Sequence, residues 1–147
     1  MPMYNLLQTI HSLFAFIVLG ILIANVLHAA IGSSGNKQFS ETSRKVALFG
    51  LIFSHVQLLI GVVLYFQSPY YSLLQEGMKA VMQDPISRQI AVEHPFTNIL
   101  AVVLITIGHS RSKKQTADKG KFNAIFVFYL LGLVFLLSRI PYGNWLG

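Results

Sequence analysis

Long apolar runs separated by short polar breaks dominate the chain. The first extends from about Leu6 to Ile31, carries His11, Asn25 and His28, and ends in the turn-forming residues Gly32 to Asn36. The second covers Val46 to Phe66 and stops at Ser68 and Pro69. The third runs from Ile90 to Gly108, with Pro95 near its start, where a missing amide donor is best tolerated. The fourth, Phe122 to Ile140, is stopped by Pro141. Crossing a bilayer core takes about 20 residues of helix. The pattern therefore predicts an all-α integral membrane protein, a four-helix up-down bundle forming a single transmembrane domain over residues 1–147. Its spans are expected at about 6–31, 46–66, 90–108 and 122–140. Between spans two and three, Leu74, Met78, Val81 and Met82 recur at helical spacing beside Gln75, Glu76, Lys79 and Gln83. Segment 67–89 is thus expected to lay an amphipathic helix on the outer interface.

Composition strengthens this picture. Hydrophobic residues make up 54% of the chain and charged ones 11%, against about 25% charged in a soluble domain. There is no cysteine, which excludes disulfides, thiolate metal sites and covalent haem attachment. Eight of the eleven bases (Lys37, Arg44, Lys45, Arg111, Lys113, Lys114, Lys119 and Lys121) fall in the loops after spans one and three. The opposite face balances Lys79, Arg88 and Arg139 against Glu76, Asp84 and Glu93. The positive-inside rule places both termini outside, on the periplasmic side of a bacterial-type inner (plasma) membrane. Tyr70, Tyr71, Tyr142 and Trp145 suit an outer aromatic belt. Met1 to Gln8 lacks a positive n-region, so no cleavable signal is expected. The basic loop from Arg111 to Lys121 has no interleaved aromatics and reads as an orientation signal touching anionic lipid, not as a nucleic-acid site. No phosphate-binding glycine loop or nucleophile elbow is present.

Chemistry enters with the histidines. All five lie within or at the rim of a span, where ionisable side chains are rare and usually functional. His94 and His109 are separated by about 22 Å along span three and about 60° around it. His11 and His28 are separated by about 25 Å and about 100° on span one. Two helices offering an upper and a lower imidazole can hold planar haems between them, with neutral imidazole as axial ligand in an apolar slot. The inner pair would be His28 and His109; the outer site would draw on His11, His55 and His94. A single haem would take the outer site, with Arg139 or Arg88 pairing with its propionates. His55, near mid-span, needs a polar partner in any reading, with Ser54, Asn98 or Tyr65 as candidates. A competing reading gathers His11, His55, His94 and Glu93 around one zinc, copper or iron ion, with hydrolytic or oxidative activity. A third makes the chain a non-catalytic membrane subunit or assembly factor, with Gly50, Gly61 and Gly132 marking close helix approaches.

The strings from His11 to Phe16, Phe53 to Phe66, Glu93 to Phe96 and Ser138 to Tyr142 resemble a family of small bacterial four-helix membrane proteins commonly labelled cytochrome B. The resemblance covers the whole chain. It implies haem b, electron transfer and a redox partner protein or quinone, in addition to the lipid bilayer. The chain departs from the usual two-haem pattern in having five histidines, one of them mid-span.

Overall fold

The computed structural model describes residues 1–145, which are helical almost throughout and contain no β-strand. Four long helices organise the chain: α1 (Pro2–Ser34), α2 (Glu41–Phe66), α6 (His94–Lys114) and α7 (Asp118–Ser138). Between α2 and α6 lie the short α3 (Pro69–Glu76), α4 (Met78–Gln83) and α5 (Pro85–Arg88). A π-helical turn at Gln89–Glu93 joins α5 to α6, so Pro85–Lys114 is one continuous helix. A last turn, α8 (Tyr142–Trp145), follows Pro141. All four long segments are long and apolar enough to cross a membrane, which makes this a multi-pass membrane protein. Leu13, Leu59 and Phe96, each about 60% exposed, stand on outward faces where lipid can cover them.

Helix starts follow local chemistry. Ser40 and Ser68 cap α2 and α3 through their side-chain oxygens, and Asp84 caps α5, accepting from the Ser87 amide at 2.8 Å and the Ser87 hydroxyl at 2.6 Å. Those two bonds hold the Asp84 carboxyl below the usual aspartate range. Proline opens α1, α3 and α5, where its missing amide costs nothing. Each helix begins before the apolar run that predicts it, because hydropathy marks the hydrocarbon-spanning part alone, while the fourth ends at Ser138, two residues short of its run. The third helix begins at Pro85 and not at Ile90.

The four long helices close into a ring. α1 packs on α2 and α7, and α6 packs on α2 and α7, leaving α1 and α6 on one diagonal and α2 and α7 on the other. Glycines set the close approaches. A methyl group at Gly132 would press on Ile105 and the Ala101 carbonyl, and one at Gly108 on Phe128. The half of the bundle that carries Asn25, Gly50, Ile105 and Tyr129, the inner half expected from the charge pattern, is closely packed. Leu22, Ile105, Phe122 and Tyr129 are fully buried there. The Tyr129 hydroxyl crosses the diagonal to donate to the Ala47 carbonyl at 2.7 Å. Gly50 makes room for Asn25 and the Tyr129 ring, its absent Cβ standing within 3 Å of both.

The amphipathic helix expected in segment 67–89 is two short helices. Gly77, at φ +156°, breaks it between Glu76 and Met78 in a conformation open to glycine. Of the apolar residues predicted to share one face, Val81 is fully buried while Met78 and Met82 are exposed.

Candidate functional site

Above the closely packed inner half, the outer half of the bundle holds a cavity of about 460 Å³ lined by residues of all four long helices. Its floor and walls are mostly apolar, with Val18 and Leu19 from α1, Leu58 from α2, Val102 from α6 and Leu136 from α7. Into it project His11 of α1 and His94 at the start of α6, from diagonal corners of the ring. Their ring centroids are 6.2 Å apart and their planes are perpendicular, at 89°.

Each imidazole is held differently. Nδ1 of His94 lies 3.1 Å from the Arg139 carbonyl at the end of α7. A carbonyl only accepts, so this nitrogen carries the proton, and the neutral ring presents Nε2 as a lone pair. The Asn98 amide, one turn along α6, donates to Nε2 at 3.0 Å. His11 has no such support: its Nδ1 is buried without a hydrogen-bond partner. Gly61 of α2 gives the ring its space, since a Cβ there would lie 3.1 Å from the His11 Cε1. The backbone at His11 is tied down instead, its carbonyl accepting from the Gln57 side-chain amide at 2.9 Å. Besides His11 Nδ1, Gln57 Oε1 and Asn98 Oδ1 are buried and unpartnered, and all three belong to residues lining the same cavity. Orphaned polar atoms cost about 1–3 kcal/mol each, so these three unpaired groups are the unsatisfied polar positions of an otherwise apolar cavity.

The remaining predicted residues are not gathered here. His55 turns away from the cavity: it is exposed on the flank of α2, with Nδ1 2.7 Å from the Leu51 carbonyl and Nε2 3.4 Å from the Thr106 hydroxyl. Thr106 lies about 18 Å along α6 from His94 at 1.5 Å per residue, so His55 cannot share a ligand with that ring. Its partners are therefore not Ser54, Asn98 or Tyr65. Glu93 is held between two guanidinium groups, Arg88 Nε at 3.1 Å from one oxygen and Arg139 Nε at 3.3 Å from the other. The four-ligand metal site of His11, His55, His94 and Glu93 is therefore not assembled; among the described residues no three His, Cys, Asp or Glu side chains converge as metal ligands. At the inner end, His28 Nε2 bonds the Ser43 hydroxyl at 2.9 Å and the ring packs edge-on to Phe122. Phe122 and Tyr129 fill the interior beside His28.

Gln57 is a cavity-lining polar residue outside the set predicted from the sequence. Its signal was present: Ser54, Gln57, Gly61 and Tyr65 follow one another at helical spacing along α2, a polar and small-residue stripe in an apolar helix.

Comparison of the chain with protein-family models, curated proteins and solved structures gives no match.

Proposed function

We propose that this chain is a b-type cytochrome-like electron carrier that would hold one haem b in the outer half of its bundle through His11 and His94. The observation that carries the reading is the pair of imidazoles 6.2 Å apart across one apolar cavity. Two imidazoles this close across one cavity could both reach a single metal centre placed between them. The donor set fits as well. A ligating histidine characteristically gives its other N–H to a backbone carbonyl, which fixes the tautomer, and His94 does so at Arg139. When bound, haem would supply one-electron redox chemistry. The chain's own residues would offer the two imidazoles, that of His94 after release of its Asn98 bond, and would line the site with aliphatic walls that set the local dielectric. Arg88 and Arg139, both paired with Glu93 next to His94, would share their charge between that carboxylate and the propionates.

The same reading includes an up-down-up-down topology in a bacterial-type inner membrane with both termini outside. Contacts between α1 and α2 support alternation: Asn25 meets Gly50 and His11 meets Gly61. So does α2 against α6, where His55 meets Thr106 and Tyr65 meets Ala91. In each pair one number falls as the other rises. The basic loops then face the cytoplasm. The electron-exchange partner would be a redox protein or a membrane quinone.

A visible spectrum of the detergent-purified chain, oxidised and then dithionite-reduced, with metal analysis on the same sample, tests the proposal. Sharp reduced α and β bands support it. A colourless protein with stoichiometric zinc or copper would replace it with a metal-ion reading. Protein made with haem and metals available that carries neither would leave a structural subunit or assembly factor.

A further inference from the structure

The helix that carries His94 is irregular immediately before it, and the irregularity is clamped from two sides. In a regular helix the amide at position 95 would donate to the Ala91 carbonyl, but Pro95 has no N–H. The helix widens instead into the π turn Gln89–Glu93, in which the His94 amide bonds the Gln89 carbonyl. The Ala91 carbonyl accepts from the Tyr65 hydroxyl of α2 at 2.9 Å. On the other side of the turn, the Gln89 side-chain amide donates to the Ile140 carbonyl at 3.2 Å, and His94 Nδ1 donates to Arg139 at 3.1 Å. A π turn holds one residue more than an α turn, so it rotates α6 against α5 by about 100°, the angle of one residue.

We propose that Tyr65 is a positioning residue for His94. By supplying the donor that Pro95 cannot, it holds the π turn in the one rotation that points Nδ1 at Arg139 and Nε2 at Asn98 on the cavity wall. The inference rests on the reading of His94 as the group presented to a cavity ligand, but it concerns the imidazole itself and can be tested without that ligand.

The test is Tyr65→Phe in the full chain, which removes the hydroxyl and keeps the ring that packs on Phe66 and Tyr71 at 5.7 and 5.4 Å. Histidine-selective ¹⁵N NMR of the detergent-solubilised protein reads the tautomer, and amide hydrogen exchange reads the turn. The expected result is a His94 signal that moves from a single Nδ1–H tautomer to a mixture, with exchange around the turn at least tenfold faster and helix content unchanged. In a Pro95→Ala background, where an amide again serves Ala91, the same substitution should have an effect at least threefold smaller. A His94 signal superposable on wild type, or equal effects in both backgrounds, overturns the proposal. If the wild type binds no haem, the haem reading falls while the NMR result still decides the role of Tyr65; if it does, the midpoint potential should shift in Tyr65→Phe.

Discussion

His11 and His94 meet edge to face, 6.2 Å apart, although one sits in the first span and the other opens the third. The contact exists because α1 and α6 occupy opposite corners of a four-helix ring whose outer half is hollow. Gly61 lets one ring lie against α2, and the Arg139 carbonyl fixes the other from α7. Every helix of the ring therefore contributes to the placement of this one pair.

Gly61 should be the most sensitive position that is not itself a proposed ligand. In Gly61→Leu the new side chain occupies the space of the His11 imidazole, whose Cε1 already lies 3.1 Å from a Cβ at that position. We expect cofactor content to fall at least tenfold while helix content and oligomeric state stay as in wild type. Absorbance per chain and circular dichroism check this together.

The inner half should respond as a packed core and not as a site. Tyr129→Phe removes the bond to Ala47 and should cost about 0.6–2 kcal/mol, the usual range for interhelical hydrogen bonds in membranes. Gly50→Ala forces both Asn25 and Tyr129 to shift and should cost about 1–3 kcal/mol through overpacking. Unfolding titrations in mixed detergent measure both, with cofactor content per folded chain unchanged.

The three remaining histidines separate the outer site from the alternatives. His55→Ala, His28→Ala and His109→Ala should each keep the cofactor stoichiometry of wild type, since His55 faces Thr106 and His28 faces Ser43. Loss of the cofactor in any of the three would place its ligands elsewhere in the bundle.

Topology can be tested directly because the chain has no cysteine. Gln75→Cys in the α3 segment should react with a membrane-impermeant maleimide in intact cells with a permeabilised outer membrane. Thr116→Cys, in the basic loop between α6 and α7, should react only after the inner membrane is broken. The reverse labelling pattern would invert the orientation.

Much of this architecture was legible in the sequence. The four spans are a matter of hydrophobic run length, and length is what a bilayer imposes. Gly50, Gly61 and Gly132 were legible as points of close approach, and each sits against a neighbouring helix. The facing of His55 was legible only through the Ser54, Gln57, Gly61 and Tyr65 stripe: it sits one residue, about 100°, from buried Ser54 and so off that stripe. The π turn was hidden. Pro95 suits a helix start, where proline is at home, yet the helix runs through it in a π turn whose Ala91 carbonyl accepts from Tyr65, distant in sequence. The break at Gly77 was missed because apolar spacing continues across it, while the backbone turns at a φ of +156°.

The most direct measurement is haem bound per chain, titrated in purified wild type, His11→Ala and His94→Ala side by side. The account predicts one haem per wild-type chain with a reduced b-type spectrum, and at least a tenfold loss in each variant at unchanged helix content. Two haems per chain, or full retention in both folded variants, would contradict it.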